Sequence, residues 1–256
     1  MFRRLLPSVL IPVLLLALPA PGVRAAPMLD VVFLLDGSGS ISAPDFALMT
    51  SAPTGIVNTL AAGVPGIAPD PDLLPADVHV GLVQFATAAT LDLGLTGNLA
   101  VVNAALSNMV QQGGQTNHAA AFAAGAAHLA ANGRAGAQQV MILLTDGDPT
   151  VPAAPNPAAA AIAQADLAKA SGILIFAVGI GNQVSQSTLE NYASSPTGDF
   201  TALIADFAAV ETLGLPIAQA LLLEDTPSVA VPGPAPLALI GLGVAGLVLS
   251  RRRRSA

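Results

Sequence analysis

Three short polar runs in this 256-residue sequence carry oxygen-bearing side chains at spacings that could meet at one point. Asp36-Gly37-Ser38-Gly39-Ser40 follows an apolar run, and its glycines let the backbone turn tightly enough for Asp36, Ser38 and Ser40 to converge. Gly113-Gly114-Gln115-Thr116 opens an Ala-rich stretch, and Thr145-Asp146-Gly147-Asp148-Pro149 closes a second apolar run. The side chains on offer are hydroxyls and carboxylates. There is no cysteine, which excludes disulfides, thiolate metal ligation and thiol catalysis together. Oxygen donors alone select a hard cation such as Mg²⁺, with Mn²⁺ or Ca²⁺ as alternatives. Singly, each run reads equally well as a helix cap or a plain turn. The agreement of three runs is what points to a metal.

Such convergence needs elements that end at a common edge. Asp30 to Leu35, Gln139 to Leu144 and Ile173 to Val178 are continuous apolar runs rich in Val, Leu and Ile, as in strands buried on both faces. Val78 to Phe85 and Thr90 to Leu95 are strand-like and only a few residues apart, hence a hairpin. Ser42-Ala43-Pro44-Asp45 opens a helix to about Leu60, with Ser42 able to cap and Asp45 closing a capping-box-like pair. Further helices are expected over Asn98 to Val110, Asn117 to Ala131, Pro157 to Ala170 and about Asp206 to Leu223. A last short strand is expected over Phe200 to Leu203. The alternation implies an α/β fold: a doubly wound, mostly parallel sheet with one antiparallel edge strand and helices on both faces. Ligands of such sheets bind outside the carboxyl ends of the strands, where all three polar runs fall.

The Asp-x-Ser-x-Ser loop at 36 to 40, Thr116 and Asp146 resemble the metal-ion-dependent adhesion site of the von Willebrand factor type A domain. The likeness extends to Leu144-Thr145-Asp146-Gly147 and Ala177-Val178-Gly179-Ile180-Gly181, and spans residues 29–224. It implies that Ser38, Ser40 and Thr116 touch the metal, with Asp36 and Asp146 acting directly or through water. Two carboxylates at that remove neutralise a divalent ion poorly, so the ion keeps a water-filled position that a partner's Asp or Glu can take. Asp148 and His118 are then candidates for the partner-binding rim. The proline-rich run from Asp148 to Pro157 would stiffen that rim and influence partner choice.

Other chemistries fit less well. A hydrolase would pair Ser38 or Ser40 with His79, His118 or His128, but Gly-x-Ser-x-Gly is absent because position 36 is Asp. Gly179-Ile180-Gly181 could open a dinucleotide fingerprint, yet Val184 stands where its third glycine belongs. Asp70 and Asp72 lie in a Pro-rich loop, Ala61 to Ala76, expected at the opposite edge of the sheet. The reading is of a binding protein rather than an enzyme. Its alternative is a structural surface or matrix protein that uses metal mainly for stability.

Charge and the two ends supply the setting. All sixteen acidic residues lie between Asp30 and Asp225, with only Arg134 and Lys169 among them, a formal charge of −14 over that span. Such a body repels phosphate backbones, which argues against nucleic acid. No Trp and a single Tyr192 leave nothing to stack bases or sugars on. Arg3 and Arg4, the apolar run Leu5 to Leu18 and small residues to Ala25 have the three parts of a secretory signal, residues 1–25. Residues 225–236 form a Pro-rich linker. Residues 237–256 are an apolar segment ending in Arg251 to Arg254, whose arginines would stay cytoplasmic. This tail resembles the PEP-CTERM sorting signal of bacteria, with Gly233 where that family usually has Glu. The resemblance implies an exported protein handled by an exosortase-type enzyme, and a plain membrane anchor is the simpler alternative. The partner implied is a protein or extracellular-matrix ligand with an exposed Asp or Glu.

Overall fold

A computed structural model describes residues 27–62, 77–152 and 156–223. The expected signal, linker and sorting tail lie outside the described residues, as do Asp70 and Asp72. Among the described residues no helix is long and apolar enough to cross a membrane.

The chain runs β1 (Met28–Asp36), α1 (Ala43–Ala62), β2 (Asp77–Phe85), β3 (Ala89–Thr96), α2 (Leu99–Ser107), α3 (His118–Asn132), β4 (Gln138–Gly147) and α4 (Pro157–Ala170). It continues with β5 (Leu174–Gln183), α5 (Gln186–Tyr192), β6 (Thr201–Ile204), a 3₁₀ helix (Phe207–Leu213) and α6 (Gly214–Leu223). The six strands lie in the order β3-β2-β1-β4-β5-β6. All neighbours are parallel except β2 and β3, so β3 is the antiparallel edge strand. This is the expected α/β architecture.

Burial explains why the apolar runs became the centre. Eight of the nine residues of β1 are buried, and β4 has a buried run from Val140 to Asp146. A strand covered on both faces has no polar side to present, hence the unbroken hydrophobic reading. β3, at the edge, has no fully buried residue. Helix α1 tolerates Pro53 inside it because Phe46, Met49, Ala52, Ile56 and Leu60 are all buried against neighbouring elements. Side-chain caps fix most helix starts: Asn98 for α2, Asn117 for α3, Asn156 with Pro157 for α4, and Ser185 for α5. The expected pair Ser42 and Asp45 is formed, with the Ser42 hydroxyl donating to Asp45 Oδ2 at 2.6 Å.

Three elements differ from the sequence reading. Helix α2 stops at Ser107, three residues early, where the Asn108 amide side chain turns back to bond Ala104 O. The C-terminal helix is two pieces, a 3₁₀ turn capped by Asp206 and then α6 from Gly214. A Cβ at Gly214 would collide with Thr59 of α1, so the junction presses directly on that helix. Helix α5 was not expected at all. The strand order places β1 at the point where the chain departs in both directions, to β2 on one side and β4 on the other. The crevice at such a switch point is where ligands of open α/β sheets bind.

Candidate metal centre

Register brings the first two polar runs together. Leu35 of β1 lies level with Leu144 of β4, so Asp36 ends its strand beside Thr145 and one residue from Asp146. The Thr145 hydroxyl donates to Asp36 Oδ2 at 2.6 Å, and the Ser38 backbone N–H donates to Asp36 Oδ1 at 2.8 Å. The Ser40 hydroxyl donates to Asp146 Oδ1 at 2.8 Å and lies 3.0 Å from the Ser38 hydroxyl. The ladder between β4 and β5 shifts register between Thr145 and Gly147, so the irregularity falls at Asp146 itself.

The third run is fastened to the first by backbone. Gly113 N–H donates to Gly37 O at 2.8 Å, and Gly39 N–H donates to Gly114 O at 2.9 Å. Gly113 and Gly114 have φ of +71° and +97°, a region that disfavours side chains. Gly37 and Gly39 do not. At Gly37 the need for glycine is close approach, since a Cβ there would strike the Gln84 side chain, whereas one at Gly39 would meet the Gly114 backbone at ordinary contact distance. Gln111 Nε2 braces the loop by donating to Ser38 O and Ile41 O at 2.8 and 2.9 Å. Thr116 follows, 6% exposed, its backbone held by Thr150 and Val151. Its hydroxyl makes no hydrogen bond among the described residues.

The electrostatics of this cluster are unbalanced. Asp36 and Ser38 are essentially sealed, at 0% and 1% exposed. Burial pushes the Asp36 carboxyl up to about 6, against the opposing hydrogen bonds from Thr145 and Ser38, and Asp146 nearby adds to the rise. Burial likewise raises Asp146, while the Ser40 hydroxyl lowers it and Asp45 raises it further. Arg134 and Lys169 are the only basic residues in the described segments, and both are engaged elsewhere. Arg134 binds Asp30 at 2.7 Å and Asp77 at 2.8 Å, at the amino ends of β1 and β2 on the opposite edge of the sheet. Lys169 pairs with Asp166 on α4 at 3.0 Å. Two carboxylates, three hydroxyls and no neighbouring positive side chain make a donor set that fits a hard divalent cation.

The rim residues fare differently from each other. Asp148 is exposed just past β4 and accepts from Ser185 N–H at 3.4 Å. His118 is not on the rim. It is 0% exposed, with Nε2 3.1 Å from Thr145 Oγ1 and Nδ1 3.2 Å from the Tyr192 hydroxyl. Phe85 and Tyr192 pack edge-on against its ring. Burial pushes its pKa down to about 3, so the ring is neutral. It faces inward because the first residue of α3 sits over the sheet, behind the loop that carries Thr116. Residues 153–155 of the expected rim lie outside the described part.

The rival chemistries find no geometry. The hydroxyls of Ser38 and Ser40 bond each other and Asp146 rather than a histidine, and His128 Nε2 accepts from Leu95 N–H. Gly179 lies inside β5, where a Cβ would collide with Val184, Leu189 and Leu203. Sequence reasoning missed four residues that shape the site: Thr145, Tyr192, Gln84 and Gln111. Thr145 stood beside Asp146 in plain view, but its role depends on the β1–β4 register.

Comparison with known proteins gives a consistent picture. The model of the von Willebrand factor type A domain matches residues 30–214. The chain is 30% identical over 207 residues to Matrilin-1 of Gallus gallus, covering 78% of this chain and 37% of the matrilin. It therefore spans little more than a third of that relative's length. Proximal thread matrix protein 1 from the mussel byssus, solved with a zinc-occupied MIDAS motif, superposes with a TM-score of 0.61 at 21% identity. That overlap covers 78% of this chain and 49% of the mussel protein. Manganese-loaded TRAP protein of Plasmodium vivax superposes with a TM-score of 0.53 at 21% identity, over 73% of this chain and 71% of TRAP.

Proposed function

This chain belongs to the von Willebrand factor type A domain family, and from that premise we propose that it is a binding protein that captures an acidic residue of a protein or matrix partner through a divalent cation. The observation that carries the proposal is the buried Asp36 at the switch point, clustered with Ser38, Ser40 and Asp146 and, among the described residues, with no basic side chain to balance it. Ser38, Ser40 and Thr116 would hold the cation directly, and Asp36 and Asp146 directly or through water. When bound, the ion supplies an electrophilic position at which a carboxylate replaces water. Hydroxyl ligands matter here because they add donors without adding negative charge. The Ser40–Asp146 bond keeps one carboxylate occupied at the same time. Mg²⁺ suits this set, and Mn²⁺ or Ca²⁺ are alternatives; the zinc and manganese of the two related structures belong to those proteins.

Residues 29–224 would form the binding domain, exported by residues 1–25 and carried on the cell surface or released according to the fate of the 237–256 tail. The bacterial setting rests on the likeness of that tail to a sorting signal.

The test uses the full chain with Mn²⁺, whose bound waters are counted by proton relaxation. Wild type should bind Mn²⁺ at one site, and a Glu-bearing peptide should displace water from it. Asp36→Ala should lose the site. Mn²⁺ binding that leaves no exchangeable water, with thermal stability as its only consequence, would turn the reading to a structural metal.

A further inference from the structure

Behind the loop that carries Ser38 a line of buried polar groups outside the proposed ligand set leads to one of its members, Asp36. Tyr192 on α5, His118 at the start of α3, Thr145 on β4 and Asp36 on β1 come from four separate elements. Tyr192, His118, Thr145 and Asp36 are each 0% exposed. The separations along the line are 3.2 Å, 3.1 Å and 2.6 Å. No water reaches these groups, so each must satisfy the next.

The direction of every bond follows from one proton. The Thr145 hydroxyl has a single hydrogen and two acceptors within reach, Asp36 Oδ2 at 2.6 Å and Gly147 O at 3.1 Å. The carboxylate is nearer and charged, so it takes the hydrogen. Thr145 Oγ1 is then an acceptor toward His118, whose Nε2 must carry the ring proton. Nδ1 of that neutral ring has only a lone pair to offer, and it accepts from the Tyr192 O–H. All three donors therefore point toward Asp36. With Asp36 ionised, reversing either of the other two alone would set two hydrogens or two lone pairs against each other in a dry site.

We propose that His118 and Tyr192 are positioning residues of the metal centre, ordering Thr145 so that its hydroxyl holds the Asp36 carboxylate in the orientation that metal binding requires. The proposal rests on the metal-binding reading above. It gives α5 a role, because the only polar group that helix sends into the core is the Tyr192 hydroxyl, with Leu189 its other buried side chain. The packing supports a fixed ring. His118 is held edge-on between Phe85 and Tyr192, with centroid separations of 5.6 and 5.5 Å, and Phe122 closes on Tyr192 at 5.1 Å. A ring so enclosed cannot flip to exchange its nitrogens without disturbing both of its aromatic neighbours.

The experiment has two readouts on the full chain. First, long-range proton–nitrogen correlation spectra of the metal-free protein should show His118 protonated on Nε2, and adding Mg²⁺ should move its ring nitrogen resonances. Second, Mn²⁺ affinity should fall about fivefold in Tyr192→Phe, which keeps the packing and removes one hydrogen bond. It should fall between about ten- and a hundredfold in His118→Leu. His118→Gln, whose amide can still donate to Thr145, should recover much of that loss. Should His118→Leu fail to fold, Tyr192→Phe and the spectra decide alone. An Nδ1–H tautomer, ring resonances indifferent to Mg²⁺, or unchanged Mn²⁺ affinity in Tyr192→Phe overturns this proposal while the metal site stands. A wild type that binds no Mn²⁺ overturns both.

Discussion

A carboxylate sealed from solvent with no basic neighbour among the described residues is an unusual thing to keep, and Asp36 sets the behaviour of the metal-free protein. Its folded-state pKa is about 6 against 3.8 for the unfolded group, so the folded chain holds the proton more tightly. Its contribution to stability is therefore present below pH 3.8 and lost as pH rises through about 6, on the order of 2–3 kcal/mol for a shift of that size. His118 has the opposite sign. Its folded pKa of about 3 lies below the ordinary 6.5, so its contribution is present above 6.5 and lost as pH falls through about 3. In chelator the two slopes oppose each other between those limits. A cation bound as proposed would replace the proton on Asp36 and leave only the histidine slope. The melting-temperature gap between Mg²⁺ and EDTA should therefore widen from pH 5 to pH 7.5, and Asp36→Asn should abolish the gap. A gap that stays constant with pH would remove Asp36 from the site. The ligand types were legible in sequence because oxygen donors, glycine spacing and the lack of cysteine are all local facts. The inward turn of His118 was not, since it depends on which residue of β4 lies beside Asp36, and periodicity does not fix register.

Between elements, the sheet is fastened at its two edges by different means. At the carboxyl edge the loops are joined through Gly37, Gly39, Gly113 and Gly114. At the amino edge one residue ties two strands together: Arg134 donates from its backbone N and from Nε to Asp30, from Nη1 to Asp77 Oδ2, and from Nη2 to Leu29 O and Asp77 O. Asp30 is 0% exposed, so removing the arginine strands a buried charge. Arg134→Met should cost about 3 kcal/mol in urea denaturation at neutral pH, and adding Asp30→Asn should recover part of it. Neither change should alter Mn²⁺ affinity, because the ion pair and the metal cluster sit at opposite ends of β1. A matching loss of affinity would mean that the two edges are coupled. The main elements were readable because buried parallel strands and capped helices announce themselves. Helix α5 was not, with seven residues and only Leu189 and Tyr192 buried, too few to set a period. The division at Gly214 was equally hidden, since it answers to Thr59 of a distant helix.

The whole molecule adds a field to the site. Sixteen acidic residues share the span from Asp30 to Asp225 with two basic ones, and both of those are tied up in ion pairs away from the metal edge. Under the proposed function a partner would bring its carboxylate toward a surface that repels it until the last few ångströms. The exposed Asp148 and the half-buried Asp45 add to that repulsion close to the proposed ion. Charge complementarity then selects the surroundings of the partner's acid rather than the acid itself. A Glu-bearing peptide flanked by lysines should bind the Mg²⁺-loaded protein more tightly than one flanked by aspartates, by about tenfold near 20 mM salt. The preference should shrink to about twofold near 300 mM, where the screening length falls to roughly 6 Å. Asp148→Asn should weaken the preference at low salt and leave Mn²⁺ affinity almost unchanged, because the residue is exposed and bonds Ser185 rather than the cluster. If the aspartate-flanked peptide bound as well at low salt, the field would be irrelevant to recognition and partner choice would fall to the shape of the loops alone.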